Sequence, residues 1–352
     1  MNKAYKWSFF FIGLIFVVSI VLLRPYYIFM IRTLRISPLK LIFTKGSLNI
    51  YDNQVNILFL GIAGKNHDGP NLSDSIVVLN YNFKNNKITT ISIPRDIWSS
   101  TLKDKINSAF AYGEAKKPGS GGFILARAEI SSIIGLPVQY AAVIDFDKFK
   151  ELIDFVGGIE VEVENSFVDK QFPIAGEENN DCNNDPEFKC RFETVSFSKG
   201  KTLMTGETAL KFVRSRNAEG KEGTDFAREK RQQKVIEAVK NSILIIIAKP
   251  NIKSFDKLYS LLDGLVKREV NNQQVATIVK NIVIKRNPEL KKISLDESLF
   301  INPPLDNNKY DGLWVLVPEN EDFSIIHKYI ECSLTSNNPS LDCLKDKGKE
   351  NK

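Results

Sequence analysis

The chain has 352 residues, with 48 Lys and Arg against 42 Asp and Glu, a net charge of +6, and 43% apolar content. Such a chain is too apolar for intrinsic disorder, too polar for a polytopic membrane protein and too mildly basic for a dedicated nucleic-acid binder, so no nucleic acid is expected among its partners. Its length is enough for one large domain or two small ones.

Trp7 to Leu23 is an uncharged, mostly apolar run of seventeen residues, followed by Arg24, Pro25, Tyr26 and Tyr27. Seventeen residues reach the lower limit for a membrane span; Arg24 can snorkel, and the Tyr pair suits a membrane interface. Lys3 and Lys6 ahead of the run favour a cytoplasmic N-terminus, and no small-x-small cleavage site follows. Residues 1–31 therefore read as a cytoplasmic stub and retained signal anchor of a single-pass cell-membrane protein, with the rest outside the cytoplasm. Residues 32–54 read as a juxtamembrane linker and 55–333 as one extracytoplasmic domain.

Within that domain Val55–Leu60, Ser75–Tyr81 and Lys87–Ile93 have strand character. The first two are nearly continuous apolar runs, as in strands covered on both faces. Asn85-Asn86 marks a tight turn that makes the second and third a hairpin. Val138–Ile144 and Ile159–Val163 add two strands. Ile124–Ile134, Phe146–Val156, Gly206–Arg214 and Asp225–Ile247 are the helices, Gly157-Gly158 ending the second and Pro250 following the last. Strands mixed with helices indicate a covered sheet in an α/β domain. Residues 169–193 form an acidic insertion, and 334–352 a polar tail expected to be disordered.

Charge is unevenly distributed. Residues 151–193 hold twelve acids and three bases, whereas residues 211–240 hold nine bases and five acids. The four cysteines fall in two close pairs, Cys182 with Cys190 and Cys332 with Cys343. In an exported chain that spacing reads as two local disulfides. Nucleotide-binding P-loop, nucleophile-elbow and zinc-protease motifs are absent, and two histidines give little material for a Ser-His-Asp site.

What remains is arginine and aspartate at the ends of buried elements. Arg95 follows the apolar run Ile91-Ser92-Ile93-Pro94, Asp74 precedes the strand Ser75–Tyr81, and Arg214 and Arg216 close a helix. Asp225 is expected to cap the long helix, putting Arg228, Arg231 and Gln232 in its first two turns, with Arg228 and Gln232 on one face. Exposed N–H groups at a helix start add partial positive charge. Guanidinium forks match phosphate oxygens two at a time, so these residues gathered around one volume suit a pyrophosphate.

These residues carry a resemblance. The blocks Asn56-Ile-Leu-Phe-Leu-Gly61, Ser73-Asp-Ser-Ile76, Ser92-Ile-Pro-Arg-Asp96, Lys105-Ile-Asn-Ser-Ala-Phe-Ala-Tyr-Gly113, Asp154-Phe-Val-Gly-Gly-Ile159, Gly206-Glu-Thr-Ala-Leu210, Val213-Arg-Ser-Arg216 and Asp225-Phe-Ala-Arg-Glu-Lys-Arg-Gln-Gln233 resemble, in order, those of the LytR-CpsA-Psr family. The resemblance implies an α/β/α sandwich with a central mixed sheet and a deep apolar pocket for a lipid tail. It implies a membrane-anchored phosphotransferase that moves a glycan polymer from a polyprenyl-pyrophosphate carrier to a cell-wall acceptor, usually peptidoglycan, with Mg²⁺. The chain is expected to act as a monomer in contact with membrane lipid.

Carried over by position, Arg95, Arg214, Arg216, Arg228 and Gln232 match the family's pyrophosphate ligands, with Arg231 beside them. Asp74 matches one of two Mg²⁺-linked aspartates. The other belongs to a Gly-x-Asp run after the first strand; here that run is Gly61-Ile62-Ala63, and His67 and Asp68 in the following loop are the expected substitutes. Asp74 or Asp96 is the expected acceptor of the attacking hydroxyl's proton, with Arg95 and Arg228 stabilising charge. Two other readings compete: a hydrolase of lipid-linked pyrophosphate, and a non-catalytic protein that binds wall glycopolymer.

Overall fold

The computed structural model describes residues 18–19, 22–43, 48–64, 69–174, 176–177, 180–248, 251–295 and 297–335. In chain order the main strands are β1 (Gln54–Ile62), β2 (Ser73–Asn82), β3 (Lys87–Ile93), β4 (Tyr140–Asp145), β5 (Ile159–Val163), β6 (Phe167–Pro173), β7 (Phe192–Phe197), β8 (Gly200–Met204), β9 (Val266–Arg268) and β10 (Glu289–Ser294). The main helices are α1 (Ala109–Lys116), α2 (Gly121–Ile134), α3 (Phe146–Phe155), α4 (Gly206–Arg214), α5 (Asp225–Ala248), α6 (Ile252–Leu265), α7 (Asn272–Lys285) and α8 (Ser324–Thr335). The chain divides into two compact units, Ser47–Lys148 with Leu265–Lys352, and Met1–Gly46 with Phe149–Gly264.

The first, the sheet unit, is built on six strands in the order β9-β4-β1-β2-β3-β10. The sheet is mixed: β4 runs parallel to β1 and β10 parallel to β3, while β1-β2, β2-β3 and β9-β4 are antiparallel. The β2-β3 hairpin turns at Asn86, which takes a left-handed φ of 57°. Both faces are covered. Leu58, Leu60, Val78 and Ile91 pack against Ile130 and Ile133 of α2 and Ile326 and Ile330 of α8. Val55, Ile57, Tyr81 and Tyr140 point the other way, against Ile278 of α7. Period-two alternation within a nearly all-apolar strand thus feeds two cores at once. α1 and α2 cross where neither has a side chain: a Cβ on Gly113 would lie 2.3 Å from the Gly121 carbonyl oxygen.

The second, the helical unit, pairs β5 with β8 and β6 with β7, both antiparallel, beside α4, α5 and α6. The acidic segment 169–193 lies largely between β6 and β7. Its tip is tied by the disulfide Cys182–Cys190, with Cα atoms 5.5 Å apart, as the spacing predicts. Cys332 in α8 is disulfide-bonded as well, and Cys343 lies outside the described residues. Asp169 is fully buried, its carboxylate accepting from the Gln171 and Asn217 N–H groups, so the segment is rooted in the fold. α5 is a single helix of 24 residues, uninterrupted by Gly or Pro.

Among the described residues no helix is long and apolar enough to cross a membrane, and most of the expected anchor, Trp7–Leu23, lies outside them. The residues just after it pack within the helical unit. Tyr26 and Phe29 stack on Phe255 of α6, and Thr33 hydrogen-bonds Asp256. Residues 336–352, most of the expected polar tail, are outside the described residues as well.

Candidate active site

In the sheet unit, strand register brings chemistry to one edge. β1 ends where β2 begins, Ile62 opposite Ser73, and Ile76 of β2 lies opposite Ile93 at the end of β3. Asp74 and Arg95 therefore emerge together, and the Arg95 guanidinium pairs with the Asp74 carboxylate. Arg95 Nε also faces Asp96 at 3.5 Å, and the far oxygen of Asp96 accepts from Lys105 Nζ at 2.7 Å. The Asn107 N–H donates to the Arg95 carbonyl at 3.3 Å, fixing the loop that carries Lys105. Asp74 and Arg95 are each about one-third exposed, open enough to meet a ligand.

Sequence reasoning missed Lys105, whose partner sits nine residues earlier in a separate loop. It also missed Asp145 and Asp147. Asp145 ends β4 beside Ile62, and a Cβ on Gly64 would lie 2.7 Å from Asp145 Oδ1 and 2.6 Å from Asp147 Oδ2. Two carboxylates thus close on the loop after β1, a proximity created only by the parallel β1-β4 pairing. Asp68 and His67, the expected substitutes for the Gly-x-Asp carboxylate, lie outside the described residues. Among the described residues no group of three or more His, Cys, Asp or Glu is arranged to hold a metal. One partly exposed carboxylate at Asp74 nonetheless fits Mg²⁺, which binds through one or two carboxylates and completes its shell with phosphate oxygens and water.

In the helical unit the arginines stand where α4 meets α5. The α4 N-terminus is held twice: Thr205 Oγ1 accepts from the Thr208 N–H, and Asp154 Oδ1 accepts from the Gly206 N–H at 2.8 Å. Gly206 lies directly on α3, since a Cβ there would be 2.3 Å from the Lys150 carbonyl oxygen. α4 then delivers Arg214 as its last residue and the exposed Arg216 just beyond. At the start of α5 the cap is Thr224, whose hydroxyl accepts from the Ala227 N–H at 3.2 Å, one residue before the expected Asp225.

Arg231 joins the two helices. Its side chain is 4% exposed; Nε donates to the Phe212 carbonyl at 2.9 Å and Nη2 to the Ser215 carbonyl at 2.7 Å. Nη1 donates to both the carbonyl and the carboxylate of Glu222 at 2.8 and 2.9 Å. The guanidinium also lies 4.7 Å from the centre of the Phe167 ring. The two carbonyls belong to the C-terminal end of α4, where helix acceptors need outside donors. Burial pushes the Arg231 pKa down, and the Glu222 carboxylate opposes that shift. Expected from sequence as a pyrophosphate ligand, Arg231 has its donors engaged inside the fold and acts as a clamp.

Arg228 and Gln232, one turn apart, occupy a different stripe of α5 that continues into the buried Val235 and Val239. Arg228 is partly buried and Gln232 exposed. The Arg231 side of the helix borders a cavity of about 480 Å³ lined by Glu162, Glu164, Phe167, Lys221, Lys230 and Lys234, among others. Lys234 pairs with Glu164 at 2.8 Å across it. Its lining mixes these charged side chains with Val163, Phe167, Phe212 and Ala227.

Comparison with known proteins agrees with this architecture. The LytR_cpsA_psr family profile matches residues 38–329. A polyisoprenyl-teichoic acid–peptidoglycan teichoic acid transferase TagU of Bacillus cereus is 29% identical over 271 residues, covering 75% of this chain and 74% of the relative. A protein of the same name from Bacillus mycoides is 29% identical over 265 residues, 74% of this chain and 72% of the relative. The crystal structure of B. subtilis TagV shares the fold with a TM-score of 0.50 at 23% identity, covering 82% of this chain and 100% of that one. With the match extending over most of its length, the chain belongs to the LytR_cpsA_psr family.

Proposed function

We propose that this protein is an extracytoplasmic phosphotransferase that moves a glycan polymer from a polyprenyl-pyrophosphate carrier to a cell-wall hydroxyl, with peptidoglycan as acceptor. One observation supports the reading: Arg231 locks the end of α4, which carries Arg214 and Arg216, to the start of α5, which carries Arg228 and Gln232. Guanidinium groups beside a helix N-terminus form an anion site suited to a diphosphate. The names of the Bacillus relatives, transferases acting on polyisoprenyl-linked teichoic acid and peptidoglycan, support the same substrate classes. The local disulfide Cys182–Cys190 is consistent with a domain outside the cytoplasm, anchored by the apolar run near its N-terminus.

In the proposed reaction an acceptor hydroxyl oxygen forms a bond to the sugar-linked phosphorus. The bond to the bridging oxygen breaks, and its electron pair leaves on polyprenyl phosphate. The hydroxyl proton passes to a carboxylate, Asp74 or Asp96. Each unit by itself offers cationic groups to the negative charge that grows on the phosphate oxygens, Arg95 in the sheet unit and the arginines of α4 and α5 in the helical unit. Asp74 is the residue to hold Mg²⁺, which when bound would neutralise further diphosphate charge.

The test is transfer from a synthetic polyprenyl-pyrophosphate glycan to peptidoglycan fragments by the full chain, followed by mass spectrometry. A phosphodiester-linked product supports the proposal. Free phosphorylated glycan without acceptor product, even with peptidoglycan supplied, would identify a hydrolase instead. Binding without turnover at any Mg²⁺ concentration would identify a binding protein, the reading favoured by the missing Gly-x-Asp carboxylate.

A further inference from the structure

The last two turns of α5 are apolar and uncovered. Leu244, Ile245 and Ile247 are 53, 60 and 41% exposed in a helical unit whose other large apolar side chains are mostly buried. They do not stand alone. Tyr26 Oη donates to the Ile247 carbonyl at 3.0 Å, and the Tyr26 and Phe29 rings rest on Phe255 of α6. These contacts set the exposed Leu22, Leu23, Tyr27 and Ile31 in the same unit as the end of α5. Aliphatic and tyrosine side chains thus come from two segments more than two hundred residues apart.

The surrounding charge is mainly positive. Residues 22–43 contain Arg24, Arg32, Arg35 and Lys40 and no acid. Lys240, Lys253 and Lys257 are exposed on α5 and α6. The acids of α6 are engaged locally, Asp256 by the Thr33 hydroxyl and Asp263 by the Tyr259 hydroxyl. A protein partner covering this patch would desolvate several cations along with the aliphatic groups. A bilayer surface solvates both, because acyl chains take the aliphatic tips while lipid phosphates meet the lysines and arginines.

We propose that the C-terminal end of α5, with residues 22–35, is a membrane-seating surface whose apolar tips enter the headgroup–acyl boundary of an anionic phospholipid bilayer. The contact is additional to any N-terminal span and fixes which side of the helical unit faces the lipid.

The test uses the full chain in vesicles of phosphatidylcholine with phosphatidylglycerol. A photo-crosslinking benzoylphenylalanine is placed by Ile245→benzoylphenylalanine and, separately, Leu244→benzoylphenylalanine. Leu203→benzoylphenylalanine, at a more exposed leucine on β8 of the same unit, is the control. Each variant is first matched to the parent by thermal denaturation. Phospholipid adducts at 244 and 245 several-fold above the control, falling in phosphatidylcholine alone, are the expected result. Yields no higher than the control, equal yields in the two vesicle types, or crosslinks to a second copy of the chain would each overturn the proposal.

Discussion

Arg228 and Arg231 lie three positions apart on α5, the first partly buried and the second almost wholly so. Arg231 is sealed against Glu222 and the end of α4. Arg231→Ala leaves the Glu222 carboxylate and three carbonyls without their donor, and removal of one member of a buried ion pair costs about 3–5 kcal/mol. The expected result is a clearly lowered Tm by calorimetry. Arg231→Lys should restore little of it, because an ammonium group cannot reproduce the planar fork that reaches four acceptors. Arg228→Ala is the complement: transfer should fall on the order of 10²–10³-fold with Tm nearly unchanged, since loss of one charge stabiliser acts on the transition state. Activity close to that of the parent would remove Arg228 from the site. In sequence the two arginines look alike, both in the first turns of a long helix. What separates them is which side of α5 meets Phe167 and Phe212, a matter of tertiary packing. The same holds for Lys105, whose role depends on the side-chain direction of Asp96.

At the scale of elements, the best-read segments were those with dense local signals. Lys87–Ile93, Ile159–Val163 and Gly206–Arg214 appear with the expected bounds, and Asn85-Asn86 marks the β2-β3 hairpin. The edge strands β9 and β10 were not legible. β9 has three residues, and the Leu and Ile of β10 are interleaved with lysines that read as surface. Lys291 is nevertheless buried, its ammonium group hydrogen-bonded to the Ser333 carbonyl. Element packing also gives two mutational tests. Gly206→Ala drives a methyl group into the Lys150 backbone, so α4 must shift and move Arg214 and Arg216 with it. Its expected signature is a lower Tm together with a raised KM for the lipid donor. The Cys182–Cys190 bridge closes a loop of eight residues, a constraint worth roughly 2–3 kcal/mol in the chain-entropy account. Cys190→Ser should admit protease to residues 181–189 while the sheet unit stays resistant, which limited proteolysis would read directly.

For the molecule as a whole, the α/β class with a covered sheet was legible because β1 and β2 are apolar on both faces and so require cover on both sides, whereas the mixed strand order was expected only from the family resemblance. The division into two discontinuous units was not, since it depends on where the chain returns after long excursions. The metal requirement belongs to this scale as well, because it concerns turnover by the complete chain. With Asp74 the described carboxylate at the proposed Mg²⁺ site, chelation should abolish transfer and Mg²⁺ should restore it. Asp74→Asn should raise the Mg²⁺ concentration needed for half-maximal activity. An unchanged titration curve for that variant would place the ion elsewhere.

The unbroken length of α5 sets a scale for the chemistry. Arg228 and Ile245 are seventeen residues apart on one continuous helix, at most about 26 Å at 1.5 Å per residue. If the Ile245 end rests in lipid, the arginine end stands off the bilayer by up to that height, like the top of a mast. The carrier's diphosphate must then climb away from the leaflet to be cut, drawing part of its hydrocarbon tail after it. Reaction would take place out in the wall space, where the acceptor is, and the protein would work as a hoist as much as a catalyst.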